Sequence, residues 1–147
     1  MKGISTQHSA AGVTQTVTLI RQHAERRGAT VFAVIDHAAA ARGVGLAMPA
    51  TQLVIFGNPA AGTPLMLAMP EIALDLPLRV LVRDDGHGGS LVSWQQPQYM
   101  AGRFGLDAEQ ARPLTAVAAV VSDALGSADA DATNADATNA DVDANNR

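Results

Sequence analysis

The chain has 147 residues, enough for one compact domain and too few for two of ordinary size. It contains no cysteine, which excludes disulfide frameworks, thiolate metal sites and cysteine nucleophiles. The net charge is −4, and the last 21 residues, with five Asp and one Arg, carry all of it. Residues 1–126 are therefore neutral, which argues against nucleic-acid binding, as does an aromatic content of only 3%.

The beginning of the chain shows no targeting pattern. Its first residues are mostly small or polar, and the apolar run Val17–Ile20 is too short for the core of a signal peptide. No window has the roughly 18 apolar residues that a membrane helix needs. We therefore expect a cytoplasmic protein that does not contact a membrane.

Residues 127–147 are of low complexity. The five residues Asp131–Ala135 are repeated as Asp136–Ala140, and the segment consists mainly of Ala, Asp, Asn and Thr. It offers little apolar area to offset an ordering cost of about 1–2 kcal/mol per residue. A calcium loop of the EF-hand type is excluded because its Gly and its final Glu are missing. The sequence predicts one domain over residues 1–126, followed by a disordered acidic tail.

Helices and strands alternate in the predicted domain. Apolar residues spaced by four, three and four positions predict the first helix, with room for a weak strand before it. Asp36 is expected to cap a short helix, and Pro64 to start another. An Asp85–Gly86 turn predicts a hairpin. Helices are predicted over residues 13–27, 38–42, 64–69, 71–74, 98–104 and from 107 towards 125, with a kink or a restart at Pro113. Strands are predicted over 29–35, 51–56, 78–83 and 90–95.

This order of elements predicts the fold class. The two late strands are joined by a hairpin, which favours an antiparallel α+β sheet over a parallel doubly wound one. We expect a two-layer sandwich with the helices packed on one face of a mainly antiparallel sheet. The order of the strands in that sheet cannot be derived from the sequence.

Residues 56–64 combine glycines, prolines and an asparagine after a predicted strand. Two glycines have the spacing of a phosphate-binding P-loop, but Thr63 and Pro64 stand where Lys and Ser or Thr are required, which excludes nucleoside triphosphates. Backbone amides at residues 60–63 remain candidates for an anion-binding turn; the alternative is a tight turn without a ligand. The candidate ligand-binding residues are Phe56, Gly57, Asn58, Pro59, Gly62 and Thr63.

Asp36 and His37 form the second candidate site. An imidazole beside a carboxylate is a general base in many enzymes. However, neighbours on a strand point to opposite faces, and Asp36 has an alternative role as a helix cap. The four histidines lack metal-ligand spacing, so no metal site is predicted, and nothing indicates a cofactor. His8 and His87 are expected to be solvated, and Trp94 to pack in the core or an interface.

Three strings of the sequence stand out together: Ile35–Ala39 (IDHAA), Phe56–Met66 (FGNPAAGTPLM) and Leu74–Leu78 (LDLPL). They resemble the DUF302 domain, a bacterial and archaeal family of unknown function, and the resemblance covers about residues 12–106. It implies a small α+β fold of the TBP-like kind, with helices on one face of an antiparallel sheet, and a homodimer. It implies no established activity, cofactor or substrate.

The sequence departs from the family pattern after the last predicted strand. Family members often carry an aromatic–Asn–Asp–Pro step there, whereas this chain has Trp94–Pro97 (WQQP). The missing carboxylate argues against a catalytic role for that corner. The shared pattern includes Asp36, His37 and Asn58, and the resemblance leaves open whether they serve the fold or chemistry.

Three functions are consistent with these features. The first is a dimeric module that binds a small polar or anionic ligand at residues 56–64. The second is an enzyme with His37 as general base, oriented by Asp36 or Asn58, which requires contacts of about 2.6–3.2 Å. The third is a structural role with the sheet face as dimer interface. The first and third are favoured because no convincing nucleophile or base is present, and the ligand hypotheses require strand-end loops that share one cleft.

Overall fold

Helices and strands alternate along the computed structural model of the chain, which describes residues 1–144 and the side chains of residues 1–136. The strands are β1 (Ile4–Ser9), β2 (Thr30–Asp36), β3 (Thr51–Gly57), β4 (Leu78–Asp84) and β5 (Ser90–Gln95). The α-helices are α1 (Val13–Arg26), α2 (His37–Gly43), α3 (Pro59–Ala68), α4 (Pro97–Phe104) and α5 (Ala116–Ala144). Two 3-10 helices, Pro70–Leu74 and Arg112–Thr115, precede β4 and α5.

The strands form one antiparallel sheet in the order β1-β5-β4-β3-β2. Every second residue of the central strands points to the same buried side, as Val54 and Phe56 do in β3 and Val80 and Val82 do in β4. The prediction of a two-layer α+β fold with a mainly antiparallel sheet is confirmed. The weak strand allowed before the first helix is also confirmed, as edge strand β1.

Helices α1 and α5 lie against each other and cover one face of the sheet. The apolar stripe of α1 is buried as the spacing predicted, with Ile20 and Ala24 fully enclosed. In α5, Val121 and Ala124 are equally enclosed. These two helices and the inward residues of the sheet form the hydrophobic core, which supplies the main stabilisation of the fold.

A cluster of buried hydroxyl groups joins α1 to both β1 and β5. Thr16 Oγ1 lies 2.9 Å from Ser9 Oγ and 3.0 Å from Ser90 Oγ. Thr16 and Ser90 also donate to the carbonyl oxygen of Ala11, over 3.1 and 2.9 Å. Because each buried hydroxyl has partners, the cluster costs little desolvation energy and fixes the end of β1 against the helix layer.

Local capping signals placed several elements correctly. Asp36 caps α2, and its Oδ1 accepts a hydrogen bond from the Ala39 amide over 2.8 Å. Gly105 ends α4 with a positive φ of 65°, as a C-terminal glycine does. Asp107 and Gln110 do form reciprocal hydrogen bonds, but the helix predicted from residue 107 is wrong there. Residues 108–111 form turns, and α5 begins only at Ala116, after the 3-10 helix Arg112–Thr115, because Pro113 has no amide donor for a continuous helix.

The structure differs from the prediction at the start of the expected tail. Helix α5 continues through Ser127, whose hydroxyl lies 2.9 Å from His23 Nε2, and Ala128 is buried. Gln15 donates a hydrogen bond to Asp131 over 3.4 Å. The Ala-rich composition favours helix once α5 is already formed, so elongation needs no new nucleus. The last part of the predicted tail, residues 145–147, lies outside the described residues.

Candidate functional site

The turn after β3 is the start of helix α3. Asn58 is the N-cap, with its Oδ1 accepting a hydrogen bond from the Ala60 amide over 3.0 Å, and Pro59 occupies the first helical position. The prediction of a turn through Pro64 followed by a helix from there is therefore wrong. Pro64 sits inside α3, where it lacks an amide donor; Asn58–Pro59 is the stronger start signal.

The first turn of α3 uses its own amide donors. The Ala60 amide donates to the Asn58 side chain, and those of Ala61 and Gly62 donate to the Asn58 carbonyl oxygen over 3.0 and 2.8 Å. An anion-binding turn needs amides that point to a free ligand. These three amides are engaged, so an anion site built on them has no support in this geometry.

A cavity of about 450 Å³ opens beside the start of α3. All six of the candidate ligand-binding residues line it. Its other walls come from the loop after α1, β2, the start of β4, the 3-10 helix before α5 and the start of α5. The lining comprises Phe56, Gly57, Asn58, Pro59, Gly62 and Thr63, together with Arg27, Ala29, Phe32, Ala61, Leu65, Met66, Leu76, Pro77, Leu78, Arg112, Pro113, Leu114, Thr115, Ala116, Ala119 and Val120.

The inner part of the cavity is apolar. Phe56 and Leu114 are each about 1% exposed, and Leu65 and Leu78 are also buried. Gly62 lies on α3 and contributes no side chain to the lining, which leaves space against the helix. Such a surface suits the hydrocarbon part of a ligand, since burying apolar area on both sides is favourable.

The polar side chains of the cavity include two arginines. Arg27 pairs with Asp123, with its Nε and Nη2 lying 3.0 and 2.8 Å from Oδ2. The Arg112 side chain is exposed and has no hydrogen-bond or ion-pair partner among the residues that the structure describes. Among the residues that the structure describes, no Asp or Glu lines the cavity. Arg112 therefore contributes the one uncompensated positive charge among the described residues of the cavity wall.

One wall of the cavity contains Leu76 and Pro77, and Asp75 fixes it in place. Asp75 is only 7% exposed, and its carboxylate accepts hydrogen bonds from Arg79 over 3.3 Å and from Arg103 over 2.9 Å. These bonds connect the 3-10 helix Pro70–Leu74 to β4 and α4. The conspicuous LDLPL string thus positions cavity residues through a buried carboxylate.

Asp36 and His37 lie far from this cavity. In the pairing of β2 with β3, Thr30 lies opposite Gly57, and Asp36 lies opposite Gln52. Six residues of strand separate the two ends, a distance of about 20 Å at a rise of about 3.3 Å per residue. Neither residue lines the cavity, and His37 is exposed. The structure does not bring His37 and Asn58 together, and the expected single cleft holds only residues 56–63.

A second polar contact was missed by the sequence reasoning. His8 Nε2 lies 2.8 Å from Asp85 Oδ2, so His8 has a partner across the sheet rather than solvent alone. Asp85 Oδ1 accepts hydrogen bonds from the amides of His87 and Gly89 over 2.7 and 3.0 Å. The His87 amide and the His8 ring hold the pKa of Asp85 below its ordinary value of 3.8. The missing signal was the pairing of β1 with β5.

The described residues contain no group of three His, Asp or Glu side chains placed to hold a metal ion. Within the same residues, no helix has the length and apolar character needed to cross a membrane.

The architecture defines the class of protein: an α+β sandwich with a five-stranded antiparallel sheet, helices on one face, and a cavity at the start of α3. The family described as "Domain of unknown function DUF302" matches residues 4–126. The chain belongs to this family, and the resemblance drawn from the three sequence strings is confirmed.

A solved structure shares this fold. The uncharacterized conserved protein DUF302 from Bacillus stearothermophilus superposes with a TM-score of 0.72 at 13% sequence identity. The match covers 87% of this chain and 99% of that one. At this identity the similarity establishes the fold alone.

Two curated relatives are more similar in sequence. "Fluoride-specific ion channel FluC 1" of Brucella suis biovar 1 (strain 1330) is 39% identical over 104 residues, covering 71% of this chain and 41% of that protein. The protein of the same name from Brucella abortus biovar 1 (strain 9-941) is also 39% identical over 104 residues, covering 71% and 38%. The chain thus spans about two fifths of the length of the curated relatives it matches.

Proposed function

We propose that this chain is a binding module whose ligand is a small organic molecule held in the cavity beside α3. The observation that carries the proposal is the preformed cavity of about 450 Å³, which lies within the usual range of ligand pockets, about 300–1,000 Å³. The FGNPAAGTPLM string supplies a large part of its wall.

The chemistry of the lining favours binding over catalysis. Its polar side chains are Arg27, Asn58, Thr63, Arg112 and Thr115, and the described lining includes no His, Asp or Glu. A general base must lie within hydrogen-bond reach of the group that it deprotonates. His37, the base in the alternative enzyme hypothesis, lies at the opposite end of β2 and has no access to this cavity.

The Brucella relatives carry the name of fluoride-specific ion channels, and this chain matches about two fifths of their length. The similarity does indicate that this type of domain also occurs as part of longer proteins. A ligand-binding domain is compatible both with this chain and with a longer protein that contains such a domain.

The proposal predicts that the chain binds N-phenyl-1-naphthylamine (NPN), an uncharged aromatic probe that fluoresces in apolar surroundings. We expect saturable one-to-one binding, since the cavity accepts an apolar body and water leaves both surfaces. A fluorescence titration measures the affinity for NPN, and the NMR chemical shifts of the backbone amides are followed in parallel to locate the probe. Shifts confined to the segments that line the cavity, within residues 27–32, 56–66, 76–78 and 112–120, support the proposal. Absence of saturation, or shifts spread over the uncovered sheet face, contradicts it.

We further propose that the chain forms a homodimer in the cytoplasm. Strand β2 is an edge of the sheet, and it exposes Phe32 by 53% and Ile35 by 40%. It contains neither Lys nor Pro, the residues that protect edge strands from pairing. Pairing with a second copy satisfies its free backbone groups. Light scattering at micromolar concentration is expected to give the mass of a dimer, and a monomer mass contradicts this proposal.

A further inference from the structure

We propose that the ligand of this cavity is an amphipathic anion, with an apolar body inside and one negatively charged group at Arg112; the inference rests on the proposed function. A carboxylate, sulfonate or phosphate monoester on a hydrocarbon or aromatic body has this chemistry. The inference differs from the anion site predicted at the α3 amides, because it places the charge at a side chain of the opposite wall.

The interior of the cavity requires the apolar body. Phe56 and Leu114 are buried side chains of two different elements, and both face the same space. A ligand that is polar throughout would lose hydration against these apolar side chains, and the first three α3 amides cannot compensate because they already donate to Asn58. The ligand's apolar part therefore determines how deep it enters.

The charged side chains of the cavity indicate the chemistry of the other end of the ligand. Both charged side chains of the described lining are arginines, and no carboxylate lies among them. Asp123 neutralises Arg27 through two hydrogen bonds, which leaves Arg112 as the uncompensated cation of the lining. A guanidinium presents paired N–H donors that match a carboxylate or sulfonate in geometry.

The position of Arg112 fits a role at the mouth of the cavity. Arg112 is the first residue of the 3-10 helix Arg112–Thr115. Pro113 and the buried Leu114 follow it within that helix. The backbone there is anchored by Leu114, while the Arg112 side chain stays exposed and hydrated when no ligand is present. A bound anion thus gains a charge-assisted contact without burial of an unpaired charge.

Two matched probes separate this inference from the proposed function. NPN is uncharged, and 8-anilinonaphthalene-1-sulfonate (ANS) is the same molecule with one sulfonate. We expect Arg112→Gln to weaken ANS binding about fivefold, the size of an ion pair at an exposed arginine, and to leave NPN binding within about twofold. Arg112→Lys retains the charge and is expected to retain most of the ANS affinity.

Arg42→Gln provides the control, because Arg42 is exposed on α2 and does not line the cavity. It is expected to leave the binding of both probes unchanged, and circular dichroism checks that each variant is folded. If Arg112→Gln changes the binding of ANS and NPN equally, or of neither, the anion inference is wrong while the binding function stands. If neither probe binds the unaltered chain, the proposed function itself fails.

Discussion

Replacement of Gly62 by Phe is expected to abolish NPN binding. Gly62 lies inside α3 on the wall of the cavity, and a Cβ added there would lie 3.9 Å from Met66 Cε and 4.0 Å from Leu76 Cδ1. Those are ordinary contact distances, so the backbone accepts a side chain. The aromatic ring of Phe would then extend into the space that the ligand is proposed to occupy.

Gly62→Ala is the matched control for this variant. It adds one methyl group at ordinary contact distances and leaves most of the cavity open. Because it removes a glycine from a helix interior, we expect stability to stay constant or to rise by about 0.4–1 kcal/mol. NPN titrations of both variants, with thermal unfolding to confirm the fold, measure the difference. A Phe variant that is folded and binds NPN like the unaltered chain would contradict the proposed site.

Replacement of Gly89 by Ala is expected to lower the free energy of unfolding by about 2–4 kcal/mol. A Cβ at this position would lie 2.6 Å from the Ser9 carbonyl oxygen, 2.7 Å from Asp85 Oδ2 and 2.7 Å from His8 Nε2. The first of these atoms belongs to the backbone of β1, which is hydrogen-bonded to β5. Relief of the clash therefore requires β1 to move away from its partner strand.

Gly102→Ala provides the comparison for the Gly89 variant. Gly102 lies in α4, and no atom is within 4 Å of its added Cβ, so the same chemical change is expected to be neutral or slightly stabilising. Urea unfolding of both variants measures the two effects. Equal midpoints for the Gly89 and Gly102 variants would show that β1 and its contact between His8 and Asp85 adapt without cost.

Local signals in the sequence were sufficient for most of the fold. The spacing of apolar residues in α1, the Asp36 cap and the hairpin glycines each act within a few positions, and each was confirmed. The first half of helix α3 was missed because Gly62 disfavours helix locally and Pro64 is most favourable at a helix start. Packing of the buried Leu65 against the core, together with the Asn58 cap, outweighs that preference.

Contacts between distant parts of the chain could not be predicted in this way. The pairing of β1 with β5, and with it the contact of His8 with Asp85, depends on the order of strands in the sheet. The same limit applies to the cavity. The residues from 56 to 63 were identified because they follow one another, whereas Arg112 and Leu114 come from a separate segment without a motif.

The direction of the strands explains why one candidate site lines the cavity and the other does not. Both were predicted at strand ends, and the argument for a shared cleft required those ends to lie together. Asp36 ends β2 and Asn58 follows β3. Because these neighbouring strands are antiparallel, their carboxyl ends lie at opposite ends of the strand pair. The enzyme hypothesis therefore lost its geometry, and the binding hypothesis kept one coherent set of residues.

Nuclear Overhauser contacts between bound NPN and the methyl groups of the isotope-labelled chain test the ligand site most directly. The proposed site predicts contacts from the naphthalene protons to Leu65 and Met66 of α3 and to Leu114 of the 3-10 helix before α5. Contacts instead to Leu53 and Leu81, in the paired strands β3 and β4 of the sheet, would place the probe away from the cavity lining and contradict the account.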